Sequence, residues 1–464
     1  MRLFNPEIQR YLWLNFSLFR VLTPLAAIAI GLLIPHHLME GLNNAETLET
    51  KRLFTQIYMW FYGGIVLYFG NVRAGSTFAE ELRGKTWDFQ RTSALKPLHL
   101  VIGKVIGATC YTWYAGLLAL GAAWYFAPPD LTGLPYFMMG LICAGIVGQV
   151  TAFAYSISSD DSASFPGIIV SIIVVSMFSS FLEGDRIATL EWYGYIFEKP
   201  IFYCMTTALL GFWVFRAAVC MMRRRMLYRN LPFDFLFFVL TVGVYCTGFL
   251  DPEKPIWLKA MVFYAAVLPC LFWSFMLEAG NLNGYKRFFH ALYHGERRRF
   301  LEHLPRWTIP LALSVAAFGI YLIYAPVTEM QQLKHMELTV LLASIMCFIL
   351  RDGIVLHLFL LRGNESFGSF KAMVFFLFAY ILLPGLVLSA FEDALKPQNL
   401  FLSEAEGTTA SVWEILRWFW PQMSDDALAA LFPPAAQVLV AGYFLARKVQ
   451  TIRKDSAEEK SPAG

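Results

Sequence analysis

Thr77–Lys104, which reads TFAEELRGKTWDFQRTSALKPLHLVIGK, decides how the rest of the chain is interpreted. It starts polar and charged, turns amphipathic, and ends in an apolar run. Gly84 is placed to close a helix over Ala79–Arg83, because glycine takes the left-handed conformation at a helix end without strain. Thr86 is placed to cap a second short helix, Trp87–Leu95. Pro97 ends that helix and starts the next apolar run. The expectation is two short helices meeting at a bend, held at a membrane surface by Phe89 and Leu95. Glu80, Glu81, Arg83, Lys85, Asp88 and Arg91 then offer both signs of charge. By pattern alone this is either a rigid contact element for a soluble partner or an ordinary solvated loop.

Composition supplies the setting. The chain has 464 residues, 57% hydrophobic and 15% charged, with a mean hydropathy of +0.52. A soluble domain of this size carries about a quarter charged residues. Apolar runs of roughly 18–25 residues match a hydrocarbon core of about 30 Å. The expected fold is an all-α polytopic membrane protein with about 12 transmembrane helices. A net charge of +3 is too small to point to nucleic acid. The seven cysteines lie in or beside apolar runs without a CxxC pair, which argues against a disulfide framework or a zinc site. Phe16–Leu38 is too long for a signal-peptide core and is read as a retained first span. Ahead of it, Asn5 can cap a helix that Pro6 starts, and Ile8, Leu12 and Leu14 alternate with Gln9, Arg10 and Asn15 as in an interfacial helix.

The expected spans are 17–38, 54–72, 98–126, 132–157, 164–182 and 201–222, then 231–249, 257–278, 308–326, 337–361, 370–391 and 434–448. Alternate loops concentrate Lys and Arg, at 73–96, 223–229, 286–306 and 447–454. This bias places those loops and both termini in the cytoplasm of a cell membrane. Span starts recur after an offset of roughly 205–210 residues, a layout of two tandem six-helix modules in parallel orientation. The expected divisions are a connecting helix at 1–16 and a first module at 17–225 with an inner loop at 73–97. A second module at 226–448 has an inner loop at 279–307 and an outer loop at 392–433, before a tail at 449–464.

The run Glu80-Glu81-Leu82-Arg83-Gly84-Lys85-Thr86-Trp87-Asp88, followed by Leu95-Lys96-Pro97-Leu98 and Gly103-Lys104, resembles the signature of ABC-2-type exporter permeases, in a type V exporter-like arrangement. The opening Asn5-Pro6 is similar to the start of some of them. The resemblance implies six spans per half, an amphipathic connecting helix, a coupling helix between spans two and three, and short re-entrant or interfacial helices before span six. It also implies that Glu80, Glu81, Arg83, Gly84, Thr86 and Asp88 meet a nucleotide-binding subunit. The second inner loop departs from the pattern, with Gly284-Tyr285-Lys286-Arg287-Phe288-Phe289 and His294-Gly295-Glu296-Arg297-Arg298-Arg299. It is either a diverged second coupling element or a different kind of contact.

Other residues carry weaker signals. His290 and His294 have metal-ligand spacing, but no third ligand is evident and the nearby arginines favour anionic lipid headgroups instead. Asp160 and Asp161 fit a capping turn before span five. Arg351 and Asp352, with His357 nearby, lie in or beside a span, as a local pair or as a pathway or gating contact. Ser411 and Glu414 form a capping box ahead of a tryptophan-rich helix, suited to anchoring or to an exit path. The sequence contains no GxxxxGK[ST] phosphate loop. The expectation is therefore a transport subunit without a cofactor of its own and without catalytic or metal-binding residues. ATP and Mg would sit on a separate ATP-binding subunit, present in two copies, with membrane lipids around the chain and room for a second permease subunit. An integral-membrane enzyme acting on lipid-linked substrates and an ion-coupled carrier are the alternatives. The first needs clustered carboxylates or histidines at one depth, and the second needs mid-span relays.

Overall fold

In the computed structural model the chain is described over residues 5–40, 44–92, 95–159, 162, 164–183, 189–228, 230–278, 282–325, 329–360, 375, 380 and 427–458. It divides into two compact units, Met1–Asn230 and Leu231–Gly464. The break falls a few residues past the expected 225/226 boundary, because the helix ending at Arg225 is followed by a backbone turn at Leu227 (φ +61°) before the chain continues.

The first unit opens with α1 (Pro6–Asn15), where Asn5 Oδ1 accepts the Glu7 N–H at 3.0 Å and Pro6 takes the first turn. Ser17 caps α2 (Leu18–Met39) by accepting the Arg20 N–H. Next, α3 (Asn44–Tyr62) runs without a break through a π-helical segment, Gly63–Phe69, into α4 (Gly70–Arg83). The expected inner loop at 73–97 therefore starts as a direct helical continuation of span two. After the short α5 (Trp87–Thr92) come α6 (Pro97–Tyr125), α7 (Leu134–Ser159) and α8 (Phe165–Ser179). Before α9 (Lys199–Arg225), a 3₁₀ turn leads to a hairpin, β1 (Thr189–Trp192) paired antiparallel with β2 (Tyr195–Glu198). That hairpin stands where the family resemblance implied short helices. Its turn uses Tyr193 and Gly194, both at positive φ, the conformation that two-residue hairpin loops require.

α7 packs against α4, α8 and α9. Small residues permit this, since a Cβ on Gly167 would come within 2.5 Å of the Gly148 carbonyl oxygen. The wide turn of the π segment frees carbonyls, and polar side chains take them up. Gln149 Nε2 donates to Val66 O at 3.3 Å while its Oε1 accepts from Trp113 Nε1 at 2.7 Å. Asn71 donates to Leu67 O and to Ser171 Oγ, and Ser171 donates on to Ala144 O. These bonds pair the amide donors of Gln149 and Asn71 and the Ser171 hydroxyl, and leave Asn71 Oδ1 without a partner.

The second unit holds α10 (Phe233–Thr247), α11 (Ile256–Glu278), α12 (Leu282–Tyr293), α13 (Arg297–Glu302), α14 (Thr308–Tyr324), α15 (Glu329–Leu360) and α16 (Ala427–Glu458). Its core gathers Tyr264, Leu271, Phe275 and Tyr321 between α11, α14 and α15. Two local features recur in both units. Tyr62 Oη donates to Leu141 O at 3.2 Å, and Tyr264 Oη donates to Leu342 O at 2.7 Å. In addition, α4 and α12 end in the same backbone closure, each followed by a six-residue helix.

Among the described residues, seven helices are long and apolar enough to cross a membrane: Leu18–Met39, Pro97–Tyr125, Leu134–Ser159, Phe165–Leu182, Lys199–Arg225, Ile256–Met276 and Leu338–Leu360. The chain thus has the make-up of a multi-pass, predominantly α-helical membrane protein. Phe233–Thr247 and Thr308–Tyr324 coincide with expected spans but are shorter. The expected span 54–72 is divided by its π segment, and 434–448 falls within α16. Apart from Phe375 and Tyr380, the expected span 370–391 lies outside the described residues, as do Asp160 and Asp161, the capping box at Ser411 and Glu414, and the outer loop 392–433 up to residue 426; the end of that expected loop, 427–433, is the start of α16.

The seating of α1 rests on Gly103 and Gly107 of α6. A Cβ at position 107 would approach Tyr11 Cδ2 to 2.6 Å, and one at 103 would approach Glu7 Cβ to 2.5 Å. Gly107→Leu is expected to lift α1 off the bundle. Limited proteolysis of the purified chain should then cut within residues 6–15 at a rate that leaves the wild type intact.

Candidate functional site

The first inner element is built from α4, α5 and the start of α6. On α4, Ala74, Thr77, Phe78 and Glu81 repeat at helical spacing and form its buried stripe. Glu81 is therefore turned inward and is only 7% exposed. Facing it is Lys104 of α6, which is completely buried. The Lys104 ammonium donates to Glu81 Oε2 and, at 2.8 Å, to Gln90 Oε1. Gln90 Nε2 donates to Glu81 Oε1 at 2.6 Å, and the Arg10 guanidinium of α1 donates to the same oxygen at 3.4 Å. Arg10 also pairs with Glu7 at 3.3 Å. One carboxylate thus joins α1, α4, α5 and α6. An ammonium in a dry interior is tolerated only with a matched anion and further hydrogen bonds, and Glu81 and Gln90 provide both.

Aromatic packing completes the anchor. Trp87 of α5 meets Phe78 edge to face, with ring centroids 5.0 Å apart. The Arg225 guanidinium lies over Phe78 at 5.8 Å and donates twice to Ile157 O, which brings the end of α9 to the same place. Tyr11, pressed on Gly107, is pushed up to about 12 by burial and then by the Glu81 carboxylate. The neutral phenol is therefore the form that packs there.

The outer side of the element is a ridge. Glu80, Arg83, Gly84, Lys85, Thr86, Asp88, Phe89 and Arg91 are all exposed, Phe89 to 81%. Of the six residues assigned to partner contact, Glu80, Arg83, Gly84, Thr86 and Asp88 lie on this ridge. Glu81 does not, because helical periodicity puts it on the stripe that meets α6. The bend also differs from expectation. Gly84 keeps a right-handed helical conformation (φ −75°, ψ −1°), and the left-handed position is Lys85 at φ +54°. The closing bonds run from Gly84 N–H to Glu80 O, from Lys85 N–H to Leu82 O and from Thr86 N–H to Glu81 O. They shift the reversal one residue along. The Thr86 hydroxyl donates back to Glu81 O at 3.3 Å, so it also ties down the end of α4.

Arg351 and Asp352 form a second buried polar cluster, within the second unit. Arg351 donates from Nε to Asp352 Oδ1 at 2.8 Å, from one terminal nitrogen to Gln437 Oε1 at 2.6 Å, and from the other to Tyr380 Oη at 2.8 Å. Tyr380 Oη donates to Asp352 Oδ2 at 2.5 Å, and Phe348 lies 4.7 Å beneath the guanidinium. This network connects α15 to α16. His357 instead joins α15 to the second inner element. Its Nε2 lies 2.6 Å from Tyr285 Oη, which accepts Trp307 Nε1–H at 2.9 Å, and its Nδ1 lies 2.7 Å from Gly353 O. The His290 and His294 rings lie 4.2 Å apart on the exposed side of α12, with their planes tilted by 46°. No group of three or more His, Cys, Asp or Glu is gathered as for a metal among the described residues.

Arg10, Gln90 and Tyr11 are the members of the site that the motif does not announce. For Arg10 and Tyr11 the signal in the sequence is the Gly103-x-x-x-Gly107 spacing, which marks α6 as a face for close contact with α1.

Three outcomes follow from this geometry. Glu81→Gln strands the Lys104 charge and is expected to cost about 3–5 kcal/mol, with the double variant Glu81→Gln/Lys104→Met recovering much of it, as read from thermal unfolding in detergent. Lys85→Gly relieves the left-handed strain and is expected to stabilise by about 1 kcal/mol. Because Tyr11 has its pKa raised on folding, its contribution is complete below pH 10 and is lost as pH rises through about 12. Tyr11→Phe should abolish that alkaline loss. No protein-family model, curated protein or solved structure matches the chain.

Proposed function

We propose that this chain is the membrane-spanning permease of an ATP-binding-cassette exporter, driven by ATP that a separate subunit hydrolyses. The proposal covers two tandem six-helix modules with about twelve spans and both termini in the cytoplasm of a cell membrane. The recurrence of the tyrosine-to-carbonyl bond and of the helix-turn-helix closure in both units favours the repeat.

The observation that carries the reading is the anchored ridge. Its outer face presents Glu80, Arg83, Gly84, Lys85, Thr86 and Asp88, while its inner face is locked to α6 and α1 through Glu81 and Lys104. A push delivered by a closing ATPase dimer on such a ridge moves span ends as a body instead of deforming a loop. The flexible alternative, a solvated loop, would dissipate the same displacement. ATP and Mg belong to the partner. The cargo is unidentified, with an amphipathic or lipid-linked molecule as the proposed class.

The test is affinity purification of the full chain in mild detergent from its native host. A nucleotide-binding subunit is expected to co-purify. Glu80→Arg/Asp88→Arg, two changes on the exposed ridge, should reduce its recovery at least tenfold while leaving the melting temperature of the chain unchanged. Equal recovery of the ATPase with this variant, or transport in vesicles that lack any ATPase, would overturn the reading.

A further inference from the structure

The second inner element repeats the backbone of the first but not its surface. In α12, the His294, Gly295 and Glu296 N–H groups bond to the carbonyls of His290, Leu292 and Ala291. This matches the closure of α4 residue for residue, with Gly295 in the left-handed seat at φ +66°. The side chains have changed character. Between Leu282 and Glu302 there are five Lys or Arg against two acidic residues, whereas Gly70–Thr92 has four against three. Lys286, Arg287, Arg297, Arg298 and Arg299 are all exposed. Arg298 and Arg299 pair with Glu302 and Glu296 along α13, which leaves a basic excess on the surface.

The apolar residues of α12 are arranged to match. Phe289, Leu292 and Tyr293, at i, i+3 and i+4, form one exposed strip, with Tyr293 88% exposed. Lys286 and His290 border that strip along one edge on the helical wheel. One turn ahead of Phe289, the helix is fixed at the level where neighbouring helices end. Tyr285 is held by His357 in the last turn of α15 and by Trp307 just before α14. Glu278, the last residue of α11, accepts the Arg306 N–H at 2.6 Å. An exposed strip of aromatic and aliphatic side chains, bordered by basic ones and pinned beside span ends, is what a helix seated among headgroups needs. A solvated docking ridge such as the first one carries mixed charge and only a single exposed aromatic, Phe89.

We infer that Leu282–Glu302 is a binding surface for anionic phospholipid headgroups of the leaflet it borders. The five basic residues hold the phosphates, and Phe289, Leu292 and Tyr293 insert toward the acyl chains. Taken together with the proposed function, the two structurally matched inner elements have different partners, protein for the first and lipid for the second. The inference depends on the membrane character of the chain and not on the transport reading.

The experiment uses the full purified chain in neutral detergent, with phosphatidylglycerol or phosphatidylcholine added and unfolding followed by heating. The wild type is expected to be stabilised more by phosphatidylglycerol. K286Q/R287Q/R297Q/R298Q/R299Q is expected to lose that preference, with affinity falling about fivefold per removed charge, and to keep its melting temperature in phosphatidylcholine. Should this variant fold poorly, photoactivatable phosphatidylglycerol in nanodiscs holding the wild-type chain gives the second measurement, with labelled peptides expected within 282–302. Retained lipid preference in the variant, or labelling confined to other segments, would overturn the inference. Retained lipid preference together with loss of a co-purifying protein would overturn it in favour of an acidic protein partner. No arm requires an ATPase, so failure here leaves the transport proposal standing.

Discussion

The first unit depends on how one buried ammonium is neutralised. Lys104 lies near the start of an apolar helix with no exposure at all, and removing it from water is costly unless an anion and further hydrogen bonds replace the solvent. Glu81 and Gln90 supply these from α4 and α5, and Arg10 reaches the same carboxylate from α1. Geometry this demanding leaves few alternative arrangements, because sliding any of the four helices would break a charge contact in a dry place. The apolar core alone would tolerate such sliding more readily, since one hydrophobic neighbour substitutes for another at small cost. Rigidity of the inner element is thus an electrostatic property superimposed on hydrophobic packing.

The second unit solves the same problem differently. Its inner element is joined to neighbouring helices through Tyr285, His357 and Trp307, while the charged pair Arg351 and Asp352 connects α15 to α16. Two halves with matching backbone closures therefore place their buried charge in different contacts. The contrast agrees with the difference in surface, mixed in sign on the first element and basic on the second.

Much of this was legible in the sequence, and the gaps have physical causes. Long apolar runs revealed the helices, since hydrophobic length is a one-dimensional property. The Asn5 cap and Pro6 start were readable because capping is local. The reversal at Lys85 was not, because a lysine can be forced into a left-handed seat by bonds on either side of it, and sequence rules favour the adjacent glycine. The hairpin at Thr189–Glu198 escaped for a similar reason, its turn being built on Tyr193 and Gly194 without an Asn-Gly signal. The motif run named both Glu80 and Glu81 as outward-facing. Distinguishing them requires a rotational phase, which no list of residues contains.

That phase is set some distance away. Ahead of the π segment, the inward residues of the long helix are Thr55, Tyr58 and Tyr62. Continued from Tyr62 at about 3.6 residues per turn, the same stripe would bring Arg73 and then Glu80 to the inside. Instead Ala74 and Glu81 are there. The wider turns of Gly63–Phe69 absorb one extra residue, about 100° of rotation, so the lower part of the helix is turned against the upper part. Gly63–Phe69 thus acts as a phase shifter. It selects which of two adjacent glutamates meets Lys104 and which is left for the world outside, and it does so from within the apolar stretch, more than ten residues before either of them.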